Sequence, residues 1–327
     1  RSVETSLDRS SLISQAMGNL RAGGIVSLPI IDLRRGHDEC RRAVLDAGKE
    51  MGFFQVVNHG VAEQAMRDVG ALCHEFFALP EADKAAFYSE DNDKTNRYFS
   101  GSTYETVVGH KYWIDCLRLG CTIPVGSSTR DWPDKPNNFR QVVEKFAVQT
   151  RSMGMELLRL LAEGMGLRTD YFDGDLGGTD VILGINHYPA CPDPTTMIGL
   201  PPHCDRNLLT LLIPNKVPGL QLLHNGEWVH VEPLPNAFVV HTGLAFEVVT
   251  NGMLKSREHR VVTNTTLARI AVGMFITPTK ECLITPAEEF LIGDENPPRY
   301  RAVAYREFVR IHGTAATSVR TTNLRTH

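Results

Sequence analysis

His203 and Asp205 stand one residue apart in the stretch PHCDRN, and such a pair could hold a metal ion. Alternating side chains along an extended strand would place both on one face and turn Cys204 away. A lone His-x-Asp pair is common by chance, so a metal site needs a third ligand. His259, which begins the strand-like run HRVVTN, is one candidate. Two histidines and a carboxylate leave the opposite face of a metal open, as in non-haem Fe(II) centres that accept a chelating cosubstrate and O2.

Arg269 adds weight to this interpretation, because it stands ten residues after His259 within the apolar run LARIAVGMF. A charge inside an apolar strand needs an ionic partner, since an unpaired buried charge is costly. The planar guanidinium suits a carboxylate. If an antiparallel strand carries Arg269 into the cavity, a dicarboxylate cosubstrate would chelate iron at one end and meet Arg269 at the other.

The elements that must position these residues change in character along the chain. Helical periodicity predicts helices in SLISQAMGNLRAGG, HDECRRAVLDAGKEMG, AEQAMRDVGALCHEFFALP and EADKAAFYSE, and a long helix from about Asn138 to Gly166. From about 180 to 285 short apolar runs alternate with turn residues, and HNGEW is a specific hairpin signal. The second half therefore predicts a β-sandwich or barrel, and AVAYREFVRIHG predicts one further helix.

Composition narrows the class of protein. The 327 residues are 42% hydrophobic and 22% charged, with a formal net charge of −4. This balance gives no basic surplus for nucleic acid or an anionic membrane, and no apolar run approaches 18 residues. The odd, scattered set of seven cysteines without CxxC indicates reduced thiols in a cytoplasmic protein. The first residues contain no apolar signal core but also no initiator Met, which leaves a removed targeting peptide open. We expect a monomer.

Several collinear motifs resemble the plant soluble Fe(II)/2-oxoglutarate-dependent dioxygenases. LPIIDL, GFFQVVNHGV and HEFFALPEADK are similar to the N-terminal region of that family, and INHYPACPDP, GLPPHCDRNLLTLL, VPGLQLL, GEWVHVEPLPNAFVV and SREHRVVTN to its catalytic core. YWIDCLRLGC, WPDKPNNFRQVVEKFAVQTR and HCDRNLLTLL most resemble the hyoscyamine 6β-hydroxylase-like branch. The resemblance implies an α+β fold with a mainly β core: a double-stranded β-helix, or jelly roll, with flanking helices and a long packing helix.

The resemblance also implies roles for individual residues. His203, Asp205 and His259 match the iron triad, while Arg269 and Tyr188 match the residues that contact the distal carboxylate of 2-oxoglutarate. Asn186 matches a residue near the iron-binding end of that cosubstrate. The implied cofactors are Fe(II), 2-oxoglutarate as cosubstrate and O2, with ascorbate as reductant. The implied reaction hydroxylates a small plant metabolite, with desaturation or epoxidation as further outcomes, and yields succinate and CO2.

The sequence departs from the family pattern at three positions. The family motif Arg-x-Ser reads Arg269-Ile270-Ala271 here, so a hydroxyl that would share the cosubstrate carboxylate is missing. We expect weaker 2-oxoglutarate binding, by roughly 1.5–3 kcal/mol or less if water substitutes. His187 replaces an aromatic neighbour of Tyr188, and strand alternation predicts that it packs in the core. We interpret His241 as a structural histidine rather than a metal ligand.

The substrate pocket is expected beside the triad, lined by aromatic and apolar side chains that suit a hydrophobic or partly aromatic small molecule. The candidates are Tyr98, Phe99, His110, Tyr112, Trp113, Asn207, Phe275 and Tyr305. Ordinary core packing is an equally good interpretation of each.

Two other functions are compatible with these residues. One is a jelly-roll small-molecule binding protein with turnover impaired by Ala271, and the other is a zinc hydrolase that uses the same three ligands. The chain is expected to divide into an N-terminal helical and β region (1–125), a linker with the long packing helix (126–177), the catalytic jelly roll (178–290) and a C-terminal helix and tail (291–327).

Overall fold

The computed structural model describes residues 24–101, 112–177, 180–213 and 217–312. The helix predicted in SLISQAMGNLRAGG lies outside the described residues. The described helices are α1 His37–Glu50, α2 Glu63–Ala78, α3 Glu81–Lys84, α4 Phe139–Gly164, α5 Leu244–Val249 and α6 Tyr305–Ile311. The strands are β1 Ile25–Val26, β2 Ile30–Asp32, β3 Phe53–Val57, β4 Arg97–Ser100, β5 Asp115–Thr122, β6 Asp180–Tyr188, β7 Ile198–His203, β8 Leu209–Ile213, β9 Leu220–His224, β10 Glu227–Val231, β11 Phe238–Thr242, β12 His259–Val262, β13 Arg269–Thr277, β14 Leu283–Ile284 and β15 Val303–Ala304.

Two sheets form the centre of the molecule. The smaller has the strand order β1-β10-β9-β12-β7, and the larger has the order β2-β3-β11-β8-β13-β6-β5-β4. β1 pairs in parallel with β10, and β2 pairs in parallel with β3. The other described pairings in these two sheets are antiparallel. This arrangement confirms the predicted jelly-roll core with flanking helices.

Side-chain alternation divides the larger sheet into two faces. One face, which includes Leu117, Leu183 and Met274, packs in a large apolar core together with the helices. The opposite face turns toward the smaller sheet and includes Tyr188 and Ala271, which share a second apolar cluster with residues of that sheet. The space between the sheets is therefore where polar side chains of the larger sheet can meet those of the smaller one.

The long helix α4 supports the larger sheet from outside. It contributes many residues to the large core, including Phe146, Leu157 and Leu161, and it contacts both α1 and α2. Its observed span, Phe139–Gly164, confirms the long helix predicted from the sequence. The predicted helices before it appear as α1, α2 and α3, the last extended by a 3-10 turn at Ala85–Phe87.

The Asn-Gly hairpin is also confirmed. Strands β9 and β10 pair with His224 opposite Glu227, which leaves Asn225 and Gly226 as a two-residue loop. Both loop residues have positive φ, 51° and 84°, as a type I′ turn requires. The predicted C-terminal helix appears as α6.

None of the described helices combines the length and the apolar content that crossing a membrane requires. The seven cysteines all lie in described segments and form no disulfide.

Candidate functional site

The three predicted ligands converge at one end of the space between the sheets. His203 ends β7 and His259 begins β12, and these antiparallel neighbours place the two residues directly opposite each other. Both histidines therefore belong to the smaller sheet. Asp205 follows β7 in a loop, so its position does not result from strand alternation as predicted.

The ligand atoms are close enough to share one ion. Oδ1 of Asp205 lies 3.4 Å from Nε2 of His203 and 3.7 Å from Nε2 of His259, and one ligand atom from each residue lies within 4.8 Å of the others. Two ligands bound about 2.1 Å from a metal at angles of 90° to 120° are separated by about 3 to 4 Å. The three residues therefore fit a single metal ion that keeps its opposite face open.

Backbone carbonyls orient both imidazoles. Nδ1 of His203 lies 2.8 Å from the carbonyl oxygen of Pro201, and Nδ1 of His259 lies 3.1 Å from that of Arg257. A carbonyl can only accept, so each Nδ1 carries the proton and donates. Each Nε2 then presents its lone pair to the site, which is the tautomer that a metal requires.

The two carboxylate oxygens of Asp205 have different partners. Oδ1 faces the two histidines, while Oδ2 accepts a hydrogen bond of 2.5 Å from the Thr210 hydroxyl. Thr210 in turn accepts a bond of 3.1 Å from the Asn207 amide. Burial alone would raise the pKa of Asp205, but His241 and the two facing histidines outweigh it and hold the pKa well below its usual value. Burial also lowers the pKa of His259. The site therefore presents a carboxylate and neutral imidazole.

His241 lies against this site without entering the ligand set. Its ring stacks on Phe53 with a centroid distance of 4.3 Å and an interplanar angle of 4°. Its Nε2 lies 3.5 Å from Oδ2 of Asp205, the oxygen that faces away from the other histidines. Burial lowers its pKa to about 4, so the ring is neutral near pH 7. This placement agrees with the structural role expected from the sequence.

Arg269 and Tyr188 form a second polar group on the larger sheet. They stand directly opposite each other on β13 and β6, with the Arg269 guanidinium 5.2 Å from the centre of the Tyr188 ring. The expectation that one antiparallel strand joins His259 to Arg269 is corrected, because their strands belong to different sheets that face each other. Burial lowers the pKa of Arg269 and raises that of Tyr188, yet both keep their protons near neutral pH.

The surroundings of Arg269 are suited to binding the carboxylate of 2-oxoglutarate. Its Nε and Nη1 are buried and have no hydrogen-bond partner among the described residues. Buried donors without partners are rare because they lose the full free energy of hydration. An anionic group between the sheets would satisfy them.

Two glycines provide room for this pair. A Cβ on Gly199 of β7 would lie 2.7 Å from Cδ1 of Tyr188, and a Cβ on Gly219 would lie 3.0 Å from Cδ of Arg269. Any larger residue at either position would displace the polar side chain opposite. Ala271 and Asn186 are also direct neighbours across β13 and β6, and the relative exposure of Ala271 is only 2%.

The predicted substrate residues separate into several groups. Phe99 lies on the face of β4 that continues through Cys116 to Asn186 and so looks into the space between the sheets. For Tyr98 the prediction of a pocket-lining position is corrected, because strand alternation turns this residue to the opposite face. There it packs with Phe76 and Phe77 of α2 in the helix-facing core. This position does not fit a role in lining the pocket.

Other candidates lie nearer to the two polar groups. Tyr112 belongs to the apolar cluster that contains Tyr188, and the Trp113 indole donates to the carbonyl oxygen of Pro189. The ring of Phe275 covers Gly184 on the inner face of β6. Tyr305 begins α6, and the charges of Arg206, Arg118 and Asp205 affect the pKa of its hydroxyl group.

Asn207 and His110 were also predicted to contact the substrate. The Asn207 amide is committed to Thr210, so the structure gives it a part in holding Asp205, and its contact with substrate stays a prediction. His110 lies outside the described residues. His187 stacks on Phe77 with a centroid distance of 4.8 Å, on the side of β6 opposite to Tyr188, as alternation predicted.

Sequence reasoning missed Thr210 and Arg118. Thr210 is the single polar residue of the apolar run LLTLLI, and this break in the pattern was its signal. Arg118 is a cation within the strand-like run CLRLGC, the same signal that identified Arg269. Cys204, which separates two of the ligands, lies 3.9 Å from the carbonyl oxygen of Ser256, and burial raises its pKa to about 12, as expected for an unreactive thiol.

Comparisons with known proteins agree with this geometry. Residues 179–278 match the family model of the 2OG-Fe(II) oxygenase superfamily, and residues 28–141 match the model described as non-haem dioxygenase in morphine synthesis N-terminal. The chain is 61% identical to 2'-deoxymugineic-acid 2'-dioxygenase of Hordeum vulgare over 88% of this chain and 84% of that protein. It is 37% identical to hyoscyamine 6-dioxygenase of Hyoscyamus niger over 87% of this chain and 85% of that protein.

A solved structure shares the same fold. The crystal structure of JOX2 in complex with 2OG, Fe and JA superimposes with a TM-score of 0.84 at 28% sequence identity, and the match covers 98% of both chains. The chain therefore belongs to the 2OG-Fe(II) oxygenase superfamily, and it is a plant-type dioxygenase that uses Fe(II), 2-oxoglutarate and O2 to oxidise a small molecule.

Proposed function

We propose that this enzyme hydroxylates 2′-deoxymugineic acid or a closely related acid. The single observation that supports this substrate is the 61% identity to 2'-deoxymugineic-acid 2'-dioxygenase across most of both chains. The identity to hyoscyamine 6-dioxygenase is much lower at 37%, so an alkaloid of that kind is the less favoured substrate.

The proposed reaction balances with the cosubstrate named by the family. One atom of O2 enters succinate as 2-oxoglutarate loses CO2, and the other replaces a C–H bond of the substrate with C–OH. Bound Fe(II) supplies the open coordination positions and the redox chemistry for this exchange. Ascorbate would serve as reductant. The chain itself has to hold the metal, orient the cosubstrate and keep water out.

His203, Asp205 and His259 are the residues that would hold Fe(II). Their ligand atoms face one point, and hydrogen bonds from both Nδ1 atoms fix the orientation of the rings. Thr210 fixes the remaining carboxylate oxygen, which keeps Oδ1 directed at the metal. Geometry held in this way reduces the entropic cost of binding the ion.

Arg269 and Tyr188 are the residues that would bind the distal carboxylate of 2-oxoglutarate, with Asn186 nearer to the iron. The unpartnered Nε and Nη1 of Arg269 support this role, because a carboxylate would pair with both. Tyr188 keeps its proton at neutral pH and can donate to the same group. Phe99, Tyr112, Trp113, Phe275 and Tyr305 are proposed to surround the organic substrate.

The test begins without oxygen. Fe(II) and then 2-oxoglutarate are added to the protein, and the visible charge-transfer band of the chelate is followed. O2 is then admitted with 2′-deoxymugineic acid, and succinate and the hydroxylated product are measured. Substrate-dependent succinate with one product oxygen per turnover is expected. A chelate band with no product from this acid would disprove the substrate, and succinate release would then be screened with other acids.

The same experiment separates the other functions. A binding protein would bind 2′-deoxymugineic acid without forming succinate, and a zinc hydrolase would need no O2. No specific observation favours either one, since the buried arginine and the three ligands are all retained.

We also propose a cytoplasmic monomer that binds neither nucleic acid nor membrane. The net charge of −4 and the unpaired cysteines support this, and light scattering of the purified protein would test the monomer. From the sequence pattern we also propose that the chain divides into four segments, with boundaries at 125, 177 and 290. The two family matches support the first and third of these segments.

A further inference from the structure

Arg118 lies on the inner face of the larger sheet. It stands opposite Gly184 of β6, and Gly184 stands opposite Gly273 of β13. The neighbouring residues Leu117 and Leu119 point the other way, into the helix-facing core. Alternation therefore turns Arg118 toward the space between the sheets, the same side as Asn186 and Tyr188. The ring of Phe275 lies over both glycines and occupies the space that their missing side chains leave beside Arg118.

One nitrogen of the half-buried Arg118 guanidinium lacks a partner within the described structure. Its Nε is buried and has no hydrogen-bond partner, and no described carboxylate forms a salt bridge with the side chain. Arg97 of β4 stands directly opposite Arg118 on the same face, which places two cations side by side. Like charges directly opposite on a sheet destabilise it. The Arg97 guanidinium donates to the Ser89 carbonyl oxygen and to Oδ1 of Asn92, whereas an anion between the sheets could supply the missing partner of the Arg118 Nε.

This location differs from that of the cosubstrate carboxylate. Along β6, Arg118 pairs with Gly184 whereas Arg269 pairs with Tyr188, four residues further. Four residues of a strand span about 13 Å. The backbones of the two arginines are therefore well separated, with Asn186 between their positions along β6.

The organic substrate is the ligand expected near Arg118. Arg118 and Arg206 both act electrostatically on the Tyr305 hydroxyl, as does Asp205 of the triad. The Tyr305 hydroxyl therefore lies near enough to Asp205 and to two positive charges for each of them to affect its pKa. Phe275, which covers Gly184, gives the same region an apolar wall.

We propose that Arg118 binds a carboxylate of the organic substrate and so selects acids over neutral and cationic molecules. The proposal rests on the proposed function for its named probe, 2′-deoxymugineic acid. The planar guanidinium would donate hydrogen bonds to the carboxylate, while the substrate carbon to be oxidised faces the metal. Arg118 would then fix which end of the substrate approaches the iron.

The experiment measures binding in the absence of O2. Wild type, Arg118→Gln, Arg118→Lys and Arg159→Gln are loaded with Fe(II) and 2-oxoglutarate and titrated calorimetrically with 2′-deoxymugineic acid. Derivatives in which single carboxylates are converted to carboxamides are titrated in parallel, together with a panel of other carboxylic acids and their amides. Arg159 is the control, since it is an exposed arginine of α4 that lies 3.7 Å from Asp173.

Arg118→Gln is expected to weaken binding of the acid by about tenfold to a hundredfold, the loss of one charged hydrogen-bonding group. One carboxamide derivative should bind wild type as weakly as the acid binds Arg118→Gln, and the variant should not weaken that derivative further. Arg118→Lys should fall between, because it keeps the charge but loses the fork. Arg159→Gln should match wild type.

Equal binding of the acid by wild type and Arg118→Gln would overturn the proposal, as would equal losses for the acid and every amide, which indicate a structural role. If Arg118→Gln does not fold, wild type still decides, since binding every amide as tightly as its acid would overturn the proposal. If wild type ignores 2′-deoxymugineic acid but binds another acid through Arg118, the proposed substrate is wrong and the role of Arg118 stands. Binding of neutral or cationic compounds alone would overturn both.

Discussion

The Thr210 hydroxyl lies 2.5 Å from Oδ2 of Asp205, while Oδ1 of the same carboxylate faces His203 and His259. One residue of β8 in the larger sheet therefore holds a ligand that follows β7 of the smaller sheet. The contact joins the two sheets at the metal site. It also prevents the carboxylate from rotating and presenting both oxygens to the ion.

Removing this hydroxyl should weaken iron binding. Thr210→Val keeps the shape and apolar contacts of the side chain but leaves Oδ2 without its donor. We expect Fe(II) affinity to fall by about tenfold to a hundredfold, the usual cost of losing a partner of a metal ligand. Anaerobic titration with Fe(II) measures this loss. Thr210→Ser restores a hydroxyl and should recover most of the affinity, whereas equal losses in both variants would contradict the role.

His241 should support the site without binding iron. His241→Asn removes the ring that stacks on Phe53 but keeps a polar group close to Asp205. We expect one iron per chain in both proteins, and a variant less stable by about 1 kcal/mol or more because of the lost stacking. Metal analysis and thermal unfolding of the apo protein measure the two quantities. A variant that no longer retains iron would show that His241 is a ligand.

Ala271→Ser should strengthen 2-oxoglutarate binding. Ala271 lies two residues after Arg269 on the same face of β13 and opposite Asn186. A hydroxyl there could donate to the carboxylate that Arg269 binds, a bond worth at most roughly 1.5–3 kcal/mol. We expect the dissociation constant for 2-oxoglutarate to fall, by about tenfold or more if no water already fills the position. Anaerobic titration of the chelate band tests this, with Ala271→Val as a larger control that has no hydroxyl.

An unchanged or higher dissociation constant in Ala271→Ser would show that the cosubstrate carboxylate lies elsewhere. The valine control distinguishes the effect of a gained hydrogen bond from the effect of crowding, because it adds volume without a donor. Both variants should keep their affinity for Fe(II), since Ala271 is on β13 of the larger sheet and is not one of the three ligands.

The sequence was sufficient to predict the elements with strong periodicity. The amphipathic pattern of α4 and the Asn225-Gly226 turn depend on local chemistry, so a short window predicts them. The same applies to His187 and Tyr188, which alternation assigned to opposite faces of β6. The iron ligands were found because two residues of the triad are separated by a single residue and the third begins a strand-like run.

The features that were missed depend on contacts between distant segments. Asp205 lies in a loop whose path is set by the backbone of α5, since the Leu244 amide donates to its carbonyl oxygen. That six-residue helix is buried on all sides and has no polar face, so periodicity did not reveal it. The facing of Arg269 and His259 across two sheets depends on topology rather than spacing. The same is true of Tyr98, whose face is fixed by its register with β5.

Gly199 should be required for the position of Tyr188. A Cβ at this position would lie 2.7 Å from Cδ1 of Tyr188 and 3.1 Å from the carbonyl oxygen of Val261, so Gly199→Ala must displace one of them. The backbone oxygen is held by strand pairing, so the tyrosine ring moves. We expect the KM for 2-oxoglutarate to rise severalfold while Fe(II) affinity is retained. Steady-state assays with varied 2-oxoglutarate and anaerobic iron titration would measure the two, and a loss of iron with unchanged KM would contradict this account.

The packing of α4 on the larger sheet should depend on Gly154. A Cβ at this position would contact Cδ1 of Ile276 and lie 2.7 Å from Cδ1 of Leu211, whereas a Cβ at Gly70 of α2 would have no neighbour within 4 Å. Both substitutions to alanine gain about 1 kcal/mol of helix propensity, which cancels when the two variants are compared. Overpacking in a dense core costs about 1–3 kcal/mol. Thermal unfolding of the apo proteins should therefore show Gly154→Ala less stable than Gly70→Ala by this amount. Equal stabilities would mean that α4 shifts away from the sheet without loss of free energy, and that the jelly roll does not need this close contact behind its active site.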